Sequence, residues 1–404
     1  MTVPSQEYAG LAAHSYQDLK VGQRGPNDEE KVVIDGTQYR VVEHANNPNT
    51  GYQGTIYQKV DSGEIVVAHR GTEEVWKDGI VADGSMVLSR TNPQADDAIA
   101  LTGRALHYAR TYSSVNPPEV TVTGHSLGGT LAQVSAHHYD LRGETFNAYG
   151  AGSLDRRIPE GPNDRMVNHV MAADVVSAAS GHYGEVRTYA TEKEISVLRQ
   201  SGYHDNRFVD FLTPDLPVVA AARSMGSHSM HNFLPVDGDG KPDKSVLQDP
   251  AAQARAEDHK DAIDNYRGDV ERLRRVVTIG ARGPIGAIED VVDHVRGPVR
   301  AGEPARQQQE REAQATGRPL SERAPDAATP TREGGGAGQD NVSRLLDAAR
   351  GGNAEDLRAA TASLQNSEAG QAWQQRVDAQ VQAATQRDAA QHAPPPSQDA
   401  ARFA

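Results

Sequence analysis

The chain carries a serine between glycines at a point where a predicted strand meets a predicted helix. Residues 120–130 read VTVTGHSLGGT, so Ser126 stands in the pattern Gly-x-Ser-x-Gly. A buried strand is predicted to end at Thr123 and a helix to begin near Leu127, which leaves almost no loop between them. A serine at such a sharp turn is presented for attack on a carbonyl carbon. The pattern therefore predicts that Ser126 is a nucleophile; the alternative is a capping serine in a glycine-rich turn.

The residues beside Ser126 suit this turn. Side chains at Gly124 and Gly128 would collide with the adjoining strand and helix, and glycine avoids both collisions. The backbone N–H of Leu127 lies at the helix N-terminus, where it can donate to the oxyanion that forms on an attacked carbonyl. We interpret His125 as part of the scaffold of the turn and not as the catalytic base.

A serine nucleophile needs a base, and the base needs an acid that orients it. Three carboxylates follow predicted strands beyond the serine, namely Asp155, Asp164 and Asp174. Asp174 lies between the strand-like VNHVMAA and the segment VVSAAS, at the edge of the sheet where ligands collect in α/β folds. We predict that Asp174 is the acid; the alternative is that it only caps the helix that follows.

Several histidines follow Asp174 and are candidates for the base. His228 and His231 lie together in GSHSMHNFLP, after the last predicted strand, where the last member of the triad is expected. Spacing alone does not choose between these two. His182 follows Asp174 too closely to come from a separate loop, so it is the weaker candidate.

The elements that must hold these residues alternate between strands and helices, which predicts an α/β fold with a mixed, mostly parallel central sheet. YRVVEHA, GTIYQKV and EIVVAHRG are strand-like, and the turn at 61–63 makes the last two a hairpin. Helical spacing follows at 98–112, and further strands are predicted at 145–150, 166–173 and 186–190.

Composition limits the classes of partner. The 404 residues have a formal net charge of −14, which disfavours nucleic acid and anionic lipid head groups, so membrane contact would have to be apolar. The absence of cysteine excludes disulfides, and no zinc or phosphate-loop motif indicates a metal or another cofactor. The first 20 residues lack the pattern of a signal peptide. We therefore expect synthesis in the cytoplasm, with any export through a specialised system.

Shifts in composition predict five segments. Residues 1–236 form the α/β domain, and 237–296 form a helical extension that packs on it, with helices expected at 253–278 and 285–295. We predict a disordered linker at 297–340, a small Gln/Ala-rich helical module at 341–390 and a flexible tail at 391–404. Catalysis by a serine hydrolase requires none of the chain beyond 236.

The stretch DGDGKPD at 237–243 raises the question of calcium. Asp237, Asp239 and Asp243 have a spacing like that of a calcium-binding loop, but the closing glutamate of an EF-hand is missing. An ordinary turn rich in Gly, Pro and Asp is the favoured interpretation. We therefore predict no metal site in the chain.

Five segments together resemble the class 3 lipases, the fungal-lipase-like group of the α/β-hydrolases. They are IVVAHRGT (65–72), TVTGHSLGGTLAQ (121–133), FNAYGAG (146–152), ADVVS (173–177) and HSMHNF (228–233). The resemblance implies an α/β-hydrolase fold over the first 236 residues. It also implies that Thr72 and Leu127 donate to the oxyanion, that Asp174 is the acid, and that His228 rather than His231 is the base.

The resemblance predicts a lipase or phospholipase A that works through an acyl-serine. Met86, Val87 and Leu88 form an apolar patch where such lipases carry a lid, although a plain connecting loop would read the same way. An esterase for other esters or thioesters and a non-enzymatic interaction protein remain open. The linker and helical tail resemble the arrangement of bacterial lipase effectors, which implies a lipid substrate at a transient membrane surface, secretion machinery and an immunity protein as partners.

Overall fold

An eight-stranded sheet forms the centre of the protein, and its strands lie side by side in chain order. The computed structural model describes residues 3–17, 31–71, 90–205, 217–237 and 239–316. The strands are β1 (Lys31–Ile34), β2 (Thr37–Asn47), β3 (Tyr52–Lys59), β4 (Ile65–His69), β5 (Val120–His125), β6 (Arg142–Phe146), β7 (Met166–Met171) and β8 (Glu185–Tyr189). Strands β1 to β4 pair antiparallel and β4 to β8 pair parallel. The predicted mixed α/β sheet is confirmed, and its antiparallel part contains four strands.

Helices pack on the two faces of the sheet. They are α1 (Ser5–His14), α2 (Ala95–Tyr112), α3 (Leu127–Tyr139), α4 (Val175–Ala178), α5 (Glu192–Gln200), α6 (Pro217–Arg223), α7 (Pro250–Asp258), α8 (Lys260–Arg296) and α9 (Glu303–Thr316). Short 3₁₀ turns lie at Ala151–Ser153, Met225–His228, Met230–Phe233 and Val246–Gln248. Within the described part of the chain, no helix combines the length and the apolar character needed to cross a bilayer.

Strand β4 shows why the sheet is covered on both sides. All five of its residues are buried, as expected when helices pack on both faces of parallel strands. Side chains alternate along a strand, so neighbouring valines enter different cores. Val66 packs in the cluster that contains Leu11 of α1, whereas Val67 packs in the cluster that contains Leu131 of α3.

The helical extension packs on the end of the sheet near β7 and β8. Ile263 and Tyr266 of α8 are buried in one cluster with Tyr203, which follows α5. Two helices were expected at 253–278 and 285–295, but the helix boundary lies elsewhere. Helix α7 ends at Asp258, and α8 then runs without interruption to Arg296. Asp205 stabilises the break by accepting hydrogen bonds from the ring of His259 and from the backbone N–H of Ala262.

The prediction of a disordered linker from residue 297 does not hold for its first part. The N–H of Val299 donates to the carbonyl of Arg157 (2.9 Å), and the N–H of Gly302 donates to that of His137 (2.8 Å). Helix α9 then forms, because Gln, Glu, Ala and Arg are strong helix formers even where apolar residues are few. The rest of the predicted linker, the 341–390 module and the 391–404 tail lie outside the described residues.

Candidate active site

Ser126 is the single residue between β5 and α3. The strand continues to His125, two residues further than predicted, and the helix begins at Leu127. Ser126 has φ 57° and ψ −127°, a strained conformation for a residue with a side chain. Its N–H donates to the carbonyl of Phe146 (3.1 Å), and its own carbonyl accepts from the N–H of Gly129 (3.1 Å). The neighbouring strand and the following helix thus hold the serine in the sharp turn that a nucleophile elbow requires.

The two flanking glycines permit this turn because backbones meet at both positions. A Cβ atom at Gly124 would overlap the backbone of Gly128, which belongs to the first turn of α3. A Cβ atom at Gly128 would overlap the backbone of His69 and Arg70 at the end of β4. The collisions foreseen from the sequence therefore involve the helix on one side and the neighbouring strand on the other.

Asp174 occupies the carboxyl end of β7 and carries out two tasks at once. It caps α4, since its carboxylate accepts hydrogen bonds from the N–H groups of Val176 (3.2 Å) and Ser177 (3.1 Å). The same carboxylate accepts a hydrogen bond of 2.9 Å from Nδ1 of His228. The alternatives weighed from the sequence, acid or helix cap, therefore do not exclude each other, because one carboxylate caps the helix and also contacts His228. By contrast, Asp155 and Asp164 are exposed.

The environment of Asp174 favours a charged carboxylate. Burial alone would raise the pKa of Asp174, but the charge of His228 and the hydrogen bonds from His228 and Ser177 bring it below its ordinary value. A charged acceptor at Nδ1 keeps a proton on that nitrogen of His228. The other ring nitrogen, Nε2, is then the atom that can take a proton.

The structure distinguishes the histidines that spacing alone left open. His228 is buried at the end of a 3₁₀ turn and contacts Asp174, whereas His231 is exposed on the next turn. His182 is buried, and its Nε2–H donates to the carbonyl of Ser177 (2.9 Å) instead of contacting the Asp174 carboxylate. Burial, and next the charge of Arg267, lower the pKa of His182 to about 4.

The sequence did not indicate that His125 holds the loop of His228. Its Nε2–H donates to the backbone carbonyl of His228 (2.8 Å), so its Nδ1 accepts from the hydroxyl of Tyr16 (3.0 Å). Burial, and next the charge of His228, lower the pKa of His125 to about 3, so the ring is neutral at ordinary pH. Because both nitrogens of His125 are engaged and its pKa is low, the ring is suited to a scaffold and not to a base, in agreement with the sequence interpretation.

Asn147 is a second positioning residue that the sequence did not single out. Its side-chain amide donates to the carbonyl of Ser227 (2.7 Å), and its side-chain oxygen accepts from the N–H of Met171 (2.8 Å). It adopts a positive φ of 44°, which asparagine tolerates better than most residues. One side chain thus connects the loop before His228 to the end of the strand before Asp174.

Some of the predicted oxyanion and lid residues lie among the described residues, and others do not. Leu127 is buried in the first turn of α3, where backbone N–H groups have no partner within the helix. Thr72 and the lid residues Met86, Val87 and Leu88 lie outside the described residues. Gly71 is described, and a Cβ atom there would lie 2.7 Å from the carbonyl oxygen of His125 and 3.4 Å from Cβ of Ser126. Gly71, the residue before Thr72, therefore lies close to Ser126.

In the described residues of the DGDGKPD stretch, nitrogen donors engage the carboxylates. Asp237 accepts from the backbone N–H groups of Asp239 (2.9 Å) and Lys241 (2.8 Å). Asp239 pairs with the ammonium of Lys241, and Asp243 accepts from the N–H of Lys244. Among the residues that the structure describes, no group of three or more His, Asp or Glu side chains is arranged to hold a metal ion.

Solved lipases align with part of this chain at low identity. Lip2 lipase from Yarrowia lipolytica is 17% identical over 46% of this chain and 77% of its own, with a TM-score of 0.29. A triacylglycerol lipase from Penicillium expansum is 16% identical over 47% of this chain and 79% of its own (TM-score 0.30). The Rhizomucor miehei lipase propeptide complex is 20% identical over 46% of this chain and 67% of its own, with a TM-score of 0.32. No protein of curated function matches the chain.

A family model settles the relationship. The model of the Tle-like phospholipase domain matches residues 7–214, just over half of the chain. This match spans the central sheet, the serine elbow and Asp174, and it confirms the prediction of a lipase-like α/β-hydrolase. The chain belongs to the family of Tle-like phospholipase domains and is a hydrolase of carboxylic esters in lipids.

Proposed function

We propose that the protein cleaves the carboxylic esters of phospholipids with a triad of Ser126, His228 and Asp174. The observation that carries this proposal is the 2.9 Å hydrogen bond between buried Asp174 and His228, in a chain whose serine adopts the strained elbow conformation. An ordinary surface ion pair would leave its two partners exposed, whereas Asp174 and His228 are both buried. Such a pair would also not explain the positive φ of Ser126.

The triad works by moving one proton. Nε2 of His228 takes the proton from the Ser126 hydroxyl while Oγ of Ser126 attacks the ester carbonyl carbon. Asp174 stabilises the imidazolium that results. His228 then gives the proton to the leaving alcohol, which leaves an acyl-serine. Water, activated by the same nitrogen, attacks the acyl carbon and releases the fatty acid.

The negative oxygen of each tetrahedral intermediate needs donors. The N–H of Leu127 is one, because it belongs to the first turn of α3 directly after the nucleophile. Thr72 is proposed as the second, on the family resemblance and on the contact of Gly71 with Ser126. Thr72→Ala removes the hydroxyl and keeps the backbone N–H, so a fall in kcat of about 100-fold would identify the hydroxyl as the donor.

A fluorophosphonate probe tests the assignment directly, since it forms a stable bond only to an activated serine. The full-length protein should be labelled, and Ser126→Ala should not. His228→Ala should be labelled far more slowly, whereas His231→Ala is the matched control. His231 is an exposed histidine three residues away, so its loss should leave the labelling rate unchanged.

Two results would contradict the triad. Labelling that persists in Ser126→Ala would mean that another serine reacts. Equal loss of labelling in His228→Ala and His231→Ala would mean that the loop, and not the Asp174-linked ring, is what matters. A wild-type protein that is folded but never labelled would favour a non-enzymatic role.

The substrate class is tested with vesicles of phosphatidylethanolamine and phosphatidylglycerol. We expect release of fatty acid from the intact phospholipid, at a rate that rises when a soluble ester is replaced by a lipid surface. This increase would support the proposed lid at Met86, Val87 and Leu88. Hydrolysis of soluble esters without release of fatty acid from vesicles would instead indicate an esterase for other substrates.

We also propose that the chain is an antibacterial effector, exported by a contact-dependent secretion system and held in check by an immunity protein. The proposal is supported by its membership of the Tle-like family and by the Gln- and Ala-rich segment that follows the hydrolase domain. The test directs the protein to the bacterial periplasm or the cytoplasm. Growth inhibition in the periplasm that disappears in Ser126→Ala is expected, and unchanged growth in both compartments would overturn the proposal.

A further inference from the structure

Helix α8 contacts the loop that carries Asp174, although it lies beyond the part of the chain that the family model matches. The guanidinium of Arg267 donates to three acceptors: the carbonyl of Met171 (3.4 Å), the hydroxyl of Ser177 (3.2 Å) and the carbonyl of Ser177 (2.9 Å). Met171 ends β7, and Ser177 belongs to α4, so the acceptors lie on either side of Asp174.

Ser177 connects this cation to the acid. Its N–H donates to the Asp174 carboxylate (3.1 Å), and its hydroxyl donates to the Asp174 backbone carbonyl (3.3 Å). Arg267 in turn donates to both oxygens of Ser177. The position of the Asp174 carboxylate therefore depends on a serine that the extension holds.

The preceding residue of α8 supports the other side of the loop. The hydroxyl of Tyr266, which is fully buried, donates to the carbonyl of Ala173 (3.2 Å). Tyr266 and Arg267 thus contact the residue before Asp174 and the residues around it. Two turns further along α8, Arg274 donates to the carbonyl of Ala179 (2.8 Å).

These donors form hydrogen bonds to backbone carbonyls at the end of α4. A helix of four residues leaves its carbonyls without partners inside the helix, and such groups are costly when they are buried. Arg267 and Arg274 supply donors to carbonyls at its C-terminal end, and their charge suits that end of the helix dipole. Burial lowers the pKa of Arg267, and the charge of Asp174 next raises it, but a guanidinium remains charged.

We infer that the helical extension is a working part of the active site, and that Arg267 is a positioning residue for Asp174. This inference rests on the proposed triad. It differs from the sequence-based expectation that catalysis requires nothing beyond residue 236. A chain cut at residue 236 would keep Ser126, Asp174 and His228 but would lose Arg267, which holds Ser177 beside the acid.

The test compares Arg267→Met with Arg274→Met in the full-length protein. Both variants remove one cation from the same face of α8 and one donor to the same loop, but Arg274 bonds to Ala179 and not to Ser177. With a soluble p-nitrophenyl ester, R267M should lose roughly 10- to 100-fold in kcat at unchanged KM, because small displacements of catalytic groups have effects of this size. R274M should stay within a factor of about three of the wild type.

A double-mutant cycle separates positioning from general damage. If Arg267 acts through Asp174, R267M should cause no further loss of kcat or of fluorophosphonate labelling rate when Asp174→Asn is already present. An equal loss in both backgrounds, or equal losses in R267M and R274M, would overturn the inference. If R267M does not fold, R267K replaces it, with a several-fold loss of kcat expected at unchanged melting temperature.

The proposed function fails separately. A folded wild type that no fluorophosphonate labels would remove the triad itself. A wild type that is labelled at Ser126, together with additive effects of R267M and D174N, would remove only the role of Arg267. The two failures are therefore distinguished by one labelling experiment.

Discussion

The ring of His125 donates a 2.8 Å hydrogen bond to the backbone carbonyl of His228, and the two ring centroids are 4.7 Å apart. The residue before the nucleophile thus holds the residue proposed as the base. Because one is adjacent to Ser126 and the other contacts Asp174, this bond links the serine elbow to the acid–base pair.

Replacement of His125 by phenylalanine tests how much the hydrogen bond to His228 contributes to stability and reactivity. The buried carbonyl of His228 and the hydroxyl of Tyr16 both lose their hydrogen bond to the His125 ring, which should lower the free energy of unfolding by about 1–3 kcal/mol. Urea unfolding measures this loss, and the fluorophosphonate labelling rate should fall as well. Tyr16→Phe is the control, since it leaves the bond to His228 in place. Equal labelling rates for wild type and His125→Phe would contradict the positioning role.

The strained backbone of Ser126 should make the wild-type protein less stable than a variant that relieves the strain. A residue with a side chain at this positive φ is strained, and glycine adopts such angles freely, so Ser126→Gly should be more stable than wild type by about 1 kcal/mol. Ser126→Ala keeps a Cβ atom and should not gain this stability. Both variants should be inactive. Thermal unfolding checks the order, and a Ser126→Gly protein less stable than Ser126→Ala would show that the backbone is not strained.

The parts of the site that could be predicted are those recorded in local patterns. Ser126 was predicted because its glycines, the strand before it and the helix after it are adjacent in sequence. Asp174 and His228 followed from chain order and from the family resemblance, which favoured His228 over His231 where spacing alone did not choose between them. The sequence interpretation of Asp174 as acid or cap was incomplete, since one carboxylate has enough acceptor sites for both.

The residues that support the site could not be predicted in this way. Arg267 lies 90 residues from Ser177 along the chain, and Asn147 lies 80 residues from Ser227. Nothing in their local sequence marks either one, because an arginine on an amphipathic helix and an asparagine after a strand are common. Composition misled in a similar way at 303–316, where polar residues that form helices well were interpreted as a linker.

Stability should fall as the pH is lowered, because several histidines are buried in the neutral form. Burial lowers the pKa of His69 and of His125 to about 3 and that of His182 to about 4, from an ordinary value of 6.5. Below pH 6.5 the unfolded chain binds protons at these sites and the folded chain does not. Their contribution to stability is therefore complete above pH 6.5 and is lost as the pH falls toward the folded values.

The expected slope is about 1.4 kcal/mol per pH unit for each such histidine over this range. Urea unfolding midpoints at pH 7.5, 6 and 5 measure it. His69→Gln should make the dependence shallower, whereas His107→Ala, which removes an exposed histidine, should not change it. A free energy of unfolding that stays constant from pH 7.5 to 5 would contradict the neutral burial of these rings.

For the replacement of Gly128 by alanine, steric overlap and helix propensity predict opposite changes in the free energy of unfolding. Gly128 lies in the first turn of α3, where alanine would normally be better than glycine by up to about 1 kcal/mol. However, a Cβ atom there would overlap the backbone of His69 and Arg70, and Gly71 would have to move with them away from Ser126. Backbone cannot yield as a flexible side chain can, so Gly128→Ala should lower the free energy of unfolding by about 2–3 kcal/mol and abolish labelling. Gly226→Ala, in the turn that ends at His228, places its Cβ atom in open space and should leave stability and labelling close to wild type.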